Sequence, residues 1–278
     1  LFIYRKKVEN LADQRIAYTE CMTGHSHPTK SDTLNRLTLI EHKSTGEHRG
    51  GNFAGTKNIT LGFSAGTSTT TGIYNTFIGH DSGFSNTTGK YNTFVGYESG
   101  ESGTSGLYNV AIGYQAGRTS ISGQYNTLVG AQSGRFCDGT RNVAIGGGAY
   151  EQGVRGDYGV YVGDRAGYNV DGIGKNTFVG GESGFNNTSG NDGVFVGFQS
   201  GYSNTTGTCN TFIGDISGYT NTTTSANTFL GFSAGRSNTG NFNTFLGINS
   251  GRKNTANQNV FIGFNSGFVN IAGSDNTF

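Results

Sequence analysis

Groups able to ligate a metal, attack a carbonyl or move a proton are few in this chain and unevenly placed. His25-Ser26-His27 is the one pair of imidazoles at a spacing suited to a transition metal; the competing reading is an exposed polar loop. The cysteines, Cys21, Cys137 and Cys209, are odd in number and lack the spacing of a metal site. Asp81, Glu98, Asp164, Glu182 and Asp215 are scattered without the paired arrangement of a glycosidase, and read as solvated loop carboxylates. Gly-x-x-Ser-Gly recurs along the chain, but His80 is the only histidine after residue 52, so no Ser/His/Asp constellation can be assembled around those serines. The expectation is a protein without a catalytic centre or an organic cofactor.

What must position any functional group is a repeat. Asn75-Thr76-Phe77-Ile78-Gly79-His80-Asp81-Ser82-Gly83 recurs in register at 58, 75, 92, 109, 126, 142, 159, 176, 193, 210, 227, 243, 259 and 276, at ten intervals of 17 residues and three of 16. A fixed period of this size signals a stacked repeat architecture. With the first residue of each copy as position 0, position +1 is Thr, Val or Ile, +3 is Leu, Ile or Val, +4 is Gly, +7 is Ser or Ala, and +8 is Gly except at Tyr150. β-Branched residues at +1 and +3 share one face of a short strand, and +2 lies on the other. A glycine bend, a second extended piece and an Asn-Thr-Thr-Gly-like turn complete the unit. The unit has no helical periodicity, and each copy reads as one coil of a parallel β-roll.

Position +2 carries Phe77, Phe94, Phe178, Phe195, Phe212, Phe229, Phe245 and Phe261, with Thr60, Ala111, Leu128, Ala144 and Tyr161 as departures. The aliphatic face and the aromatic face cannot both point inward, because successive side chains alternate. Rungs stack about 4.8 Å apart, so whichever column faces out forms an apolar stripe roughly 60 Å long. Monomeric soluble proteins rarely expose such a stripe. The Phe column is therefore either an oligomer interface or the inner face, and either choice predicts that another chain covers what remains outside.

At this point the residues resemble a known family. Asn109-Val110-Ala111-Ile112-Gly113 and Asn142-Val143-Ala144-Ile145-Gly146 are similar to the head repeats of trimeric autotransporter adhesins. The longer Asn-Thr-Phe-Ile-Gly-x-x-Ser-Gly form resembles repeats of phage tail-fibre-like and bacterial surface proteins. The present repeat is longer than that of the adhesin heads and has Phe at their oligomer-facing Ala position. The resemblance implies an all-β fold: a left-handed, homotrimeric parallel β-roll, or β-solenoid, of about 13 coils with 16–17 residues per coil. It implies an extracellular setting, on a cell surface, in a secreted filament or on a virion fibre. It also implies that three copies of His25 and His27 could hold an octahedral iron on the trimer axis, as His-x-His does in phage fibres.

A second column invites a binding role. Position +9 carries Phe84, Arg118, Arg135, Tyr168, Phe185, Tyr202, Tyr219, Arg236, Arg252 and Phe268. Aromatic rings interleaved with arginines can stack sugars or pair acidic glycans, and can equally pack along the flank of the roll. Asn-x-Ser/Thr sequons begin at Asn58, Asn86, Asn186, Asn187, Asn204 and Asn221, where turn chemistry accounts for Asn and Thr as readily as glycosylation does.

Residues 1–52 stand apart as a capping or attachment segment, with the repeat domain over 53–278. The first segment holds the only Pro, the only Met and four of the five His; it suggests a short helix over 5–18, a strand over 36–42 and a glycine-rich linker from 46 to 55. Leu1 and a last copy cut short at Phe278 suggest a piece of a longer chain. Charge is +2 over 1–52 and −1 over 53–278, without the basic footprint of a nucleic-acid binder. No apolar run reaches 18 residues, so no membrane span is expected. The function expected is an extracellular trimeric fibre or adhesin module that attaches to cells through a surface glycan or a protein receptor. The alternatives are a subunit of an end-to-end filament and, more distantly, an ice-binding solenoid.

Overall fold

A computed structural model describes residues 40–42, 48–50 and 57–278, apart from Ile121 and Ile173. The chain divides into two units, Leu1–His48 and Arg49–Phe278. Strand β1 (Ile40–His42) falls inside the stretch 36–42 expected to be extended, and β2 (His48–Gly50) follows it. The helix expected over 5–18, Cys21 and the pair His25 and His27 lie outside the described residues.

From residue 57 onward the chain is a parallel β-solenoid, and no helix occurs among the described residues. Each repeat contributes one three-residue strand at +1 to +3, from β3 (Ile59–Leu61) to β16 (Val260–Ile262), and these build one thirteen-stranded parallel sheet in sequential order. Pairing is in register from rung to rung: β10 (Thr177–Val179) meets β11 (Val194–Val196) as Thr177 with Val194, Phe178 with Phe195 and Val179 with Val196. A second small parallel pair, β15 (Lys253–Asn254) with β17 (Val269–Asn270), forms elsewhere on the last two coils. Between strands the turns also bond rung to rung: Gly83 N–H donates to Ser99 O at 2.9 Å, Ser85 to Glu101 at 2.8 Å and Thr87 to Thr104 at 3.0 Å.

The Phe column is the inner filling. Phe77, Phe178, Phe195, Phe212, Phe229, Phe245 and Phe261 are 0 % exposed, and Phe94 is buried as well. This settles the alternative left open by the sequence: +2 packs within the coil and +1 and +3 face out. The rings stack almost parallel, with centroids 4.6 Å apart for Phe178 and Phe195 and 4.8 Å for Phe212 and Phe229. That spacing follows from the strand separation itself. Burying each ring is worth roughly 1.5–3 kcal/mol, and ring contact adds about 0.5–1.5 kcal/mol.

Two glycine columns make room for this core. At +4, Gly96 has φ 134°, and a Cβ there would stand 2.4 Å from Gly113 O on the next rung. At +8, Gly100 has φ 59°, and a Cβ would stand 2.4 Å from the Phe94 ring. The small +7 residues close the same wall. Ser82, Ser99 and Ser133 are fully buried, and each hydroxyl donates to the carbonyl of the next rung's +2 residue at 2.8–3.0 Å.

Position 0 points inward too, and its asparagines form a ladder. Asn75 N–H donates to Asn58 Oδ1 at 2.8 Å, Asn92 N–H to Asn75 Oδ1 at 2.9 Å, and Asn243 N–H to Asn227 Oδ1 at 2.9 Å. The amide Nδ2 donates to a turn carbonyl, as from Asn75 to Gly89 O at 2.8 Å. Both ends of a buried amide are thereby satisfied, which is why it survives in an apolar interior. In the unit beginning at Gly159, where Tyr161 replaces Phe, the N–H still donates to Asn142 Oδ1 at 2.8 Å but no amide can follow: a Cβ on Gly159 would stand 2.4 Å from the Tyr161 hydroxyl oxygen. The larger ring occupies the space of the missing amide.

Candidate binding surfaces

With Phe inside, the outer side of the thirteen-stranded sheet carries +1 and +3. The +3 aliphatics are partly or largely uncovered; Ile112, Ile145, Ile213, Leu230, Leu246 and Ile262 are 36–57 % exposed. Beside them, +1 alternates between Thr and Val, at Thr76, Thr93, Val110, Thr127, Val143 and Val160 in successive rungs. The face is therefore a largely apolar strip about 60 Å long at ordinary rung spacing.

Two rows flank this strip: +5, a varying column expected from the sequence to face outward or flank the interface, and −1, which the sequence reading did not single out. At +5, Phe63, His80, Tyr97 and Tyr114 form a continuous ring stack with centroid separations of 5.0, 5.3 and 5.6 Å. At −1, Tyr74, Tyr91, Tyr108 and Tyr125 stack at 5.0, 4.7 and 5.0 Å and lie within 7° of parallel. Cations extend this second row. Lys57 Nζ donates to Tyr74 Oη at 2.6 Å and lies 4.7 Å from that ring's centroid. Arg141 sits between Tyr125 and Tyr158, 5.4 and 5.2 Å from their ring centroids, and donates to Tyr158 Oη at 2.8 Å. The signal in the sequence was a tyrosine one residue before each asparagine, at intervals of 17 from Tyr74 to Tyr125.

The +9 column is brought together as a ladder whose character changes along the rod. In the N-terminal half it is ionic. Arg118 Nε lies 2.5 Å from Glu101 and 3.1 Å from Glu98, and Arg135 lies 3.7 Å from Glu151. In the C-terminal half it is aromatic: Tyr168, Phe185, Tyr202 and Tyr219 stack at 5.0, 5.2 and 5.2 Å, and Arg236 lies 5.6 Å from the Tyr219 ring centroid. Arg252 stands over Phe268 at 5.3 Å, and Phe84 is exposed. Within the stack the ring faces cover one another. The column offers edges and hydroxyls to a ligand rather than open platforms for a sugar.

Carboxylates beside this ladder sit in opposed environments. Burial would raise the Glu98 carboxyl, but hydrogen bonds from Gln115, at 2.7 Å, and from Tyr97, with the Arg118 charge, outweigh it and hold the group below the ordinary glutamate range. For Glu151 burial dominates, and Arg135 offsets it only in part, so the carboxyl is raised. Arg165 bridges Asp164, at 3.1 Å, and Glu182, at 2.6 Å. Glu182 in turn accepts from Gln199 at 2.8 Å. Among the described residues no group of three or more His, Cys, Asp or Glu is placed to hold a metal ion, and no helix is long and apolar enough to cross a membrane.

The sequons mostly point inward. Asn58, Asn86, Asn187, Asn204 and Asn221 are buried, and only Asn186 is partly open. Asn and Thr recur there because the rung is built from them: Thr70, Thr87, Thr188 and Thr205 each donate a hydroxyl to the carbonyl of the equivalent residue one rung on. Cys137 is buried and Cys209 exposed; both are free thiols, and burial pushes the Cys137 thiol up to about 12.

No family model, curated protein or solved structure matches the chain.

Proposed function

We propose that the chain is a rod-like module of an extracellular fibre, in which three copies pack through the outer strand faces and the assembled rod attaches to cells or glycans without turnover. The observation that supports it most is the aliphatic +3 row, repeated in all thirteen rungs on the outer side of the sheet and partly or largely uncovered in a single chain. An apolar strip of this length costs a lone soluble protein solubility, and a self-complementary strip is buried most simply by further copies of itself. The buried columns largely serve the coil: the position-0 asparagine amides, the Phe rings and the +7 serine hydroxyls bond or pack within or between rungs, while the turn amides of Asn187 and Asn221 have no side-chain partner. Functional variety is left to the outward rows, where residue identity changes from coil to coil.

Light scattering on the purified chain tests the association, with an expected mass about three times 29.2 kDa. A stable folded monomer would overturn it. A cell-adhesion assay on the same sample tests attachment. End-to-end growth into long filaments without adhesion would favour the structural-filament reading. Ice binding is disfavoured because the outward Thr residues at +1 share their face with the aliphatic +3 row.

A further inference from the structure

We propose that the ridge formed by position −1 from Lys57 to Lys175 is a binding site for an extended acidic polysaccharide; this rests on the attachment reading above and names its site and ligand class.

The first ground is that the coil does not need these side chains. Position −1 has positive φ in every rung, 63° at Tyr74, 59° at Tyr91, 58° at Tyr108 and 57° at Tyr125. In that region Gly, Asn or Asp is least costly, and other residues pay roughly 1–2 kcal/mol. The C-terminal rungs show how little the backbone asks for: the same position holds Asp192, Cys209, Ala226, Phe242 and Gln258, also with φ of 55–59°. Yet all eight residues from 57 to 175 are Lys, Tyr or Arg. The tyrosines are not core either, being 41–54 % exposed. A bulky residue kept at a strained, exposed position in successive rungs is explained by something it contacts outside the chain.

The second ground is chemistry. The row contains no carboxylate before Asp192. Lys57, Arg141 and Lys175 lie within it and Lys90 immediately beside it, whereas the one flanking acid, Asp157, is held by Thr140, accepting from its N–H at 2.6 Å and from its hydroxyl at 2.9 Å. Tyr74 and Tyr158 accept from their cations, which leaves each phenolic hydrogen free to donate outward. Ring faces are already stacked at 4.7–5.0 Å, too close to admit a base or a sugar between them. This disfavours neutral sugars, which bind through open faces, and single-stranded nucleic acid, which would intercalate. What remains is a line of donors repeating about every 4.8 Å, with positive charge at Lys57, Lys90, Arg141 and Lys175 along it. An extended pyranose chain advances by a similar distance per sugar, so carboxylate or sulfate groups can meet successive rungs, and weak contacts add through effective concentration.

The test uses the full chain and immobilised alginate, hyaluronate and heparin, with dextran as the neutral control. The wild-type protein should retain on at least one acidic polymer and not on dextran. Retention should fall as salt shortens the screening length to about 3 Å. Replacing Tyr74, Tyr91, Tyr108 and Tyr125 with Asn, a residue suited to that backbone, should leave melting unchanged or raised and weaken binding at least tenfold. Replacing Tyr202 and Tyr219 with Ser should leave binding intact. Equal binding to dextran, unaltered binding by the four-Asn variant, or no acidic polymer bound would each overturn the proposal. Cell adhesion measured in parallel separates the two levels. Adhesion that survives the four-Asn change sinks this site and leaves the fibre reading standing, whereas wild-type rods that adhere to nothing sink the attachment reading itself.

Discussion

Tyr150 and Tyr161 stack 4.6 Å apart and 5° from parallel inside the coil, although they come from different positions of consecutive rungs. Tyr161 stands at +2, where the core ring is expected. Tyr150 stands at +8, the position that is glycine in every other unit, and its own rung has Ala144 at +2. The ring has been supplied from the opposite wall. Tyr150 keeps the backbone of the column, with φ 55°, and its hydroxyl accepts from Gly156 N–H at 2.7 Å.

This exchange predicts a strong coupling between the two sites of that rung. Tyr150→Gly alone should cost about 3–5 kcal/mol by emptying the core. Ala144→Phe alone should cost about 1–3 kcal/mol or more by crowding the tyrosine ring. Together they restore the pattern of the neighbouring coils, and the pair should melt near the wild type. Additive losses in a double-mutant cycle would contradict the compensation.

Phe212 and Ile213 are adjacent in sequence and opposite in consequence. Phe212→Asp buries a charge inside the coil and should unfold it, read by circular dichroism. Ile213→Asp places the charge on the outer face, where it should leave the coil folded and dissociate the proposed trimer in light scattering. If both changes unfold the protein, or if Ile213→Asp leaves the mass unchanged, the outer face is not the contact between copies.

The asparagine ladder can be extended by design. Gly193 occupies position 0 with far less obstruction than Gly159: a Cβ there would lie 3.2 Å from Asn176 Oδ1, which must give by a few tenths of an ångström, and 3.4 Å from the Phe195 ring. Gly193→Asn should stabilise by roughly 1 kcal/mol through the new amide bonds and a less flexible unfolded chain. Gly159→Asn should destabilise, because the Tyr161 hydroxyl occupies that space. Urea titrations of both variants measure the contrast.

The two perturbed glutamates predict opposite pH slopes. Glu98 is depressed in the folded state, so its contribution is present above the unfolded glutamate range and lost as pH falls through the folded value. Glu151 is raised, so its relative contribution is present below the unfolded range and lost as pH rises through the folded value. Glu98→Gln should therefore lower stability at neutral pH and flatten the acid limb. Glu151→Gln should raise it at neutral pH, with the gain fading in acid. Melting temperatures across the carboxylate range decide both.

The coil, its register and its period were legible because every rung repeats the same solution. Which face turned inward was less so, since Phe at +2 and Ile or Val at +3 are both apolar. The deciding clue was indirect. Position 0 shares a face with +2, and a column of asparagines survives only where amides can bond one another; the glycine at +8 is the imprint of the +2 ring. The −1 row was not legible because tyrosine there looks like ordinary variation until the fold places five of them in line with lysine and arginine. The +9 column was found, but its ring faces proved to be covered by its own neighbours, a relation no single rung displays.

The three 16-residue units lose their residue in the turn, not in the strand. Asn126 Nδ2 reaches Gly139 O across 13 positions, where Asn109 reaches Gly123 O across 14, while Thr228 still pairs with Thr244 in register. The corner absorbs the change and the sheet does not sense it. Rod length is thereby a countable trait: excising 193–209 would bring Val194's partners, Thr177 and Thr211, into direct pairing and shorten the rod by about 4.8 Å. A lineage carrying such a chain could tune its reach one increment at a time by unequal recombination between near-identical copies, without refounding the fold.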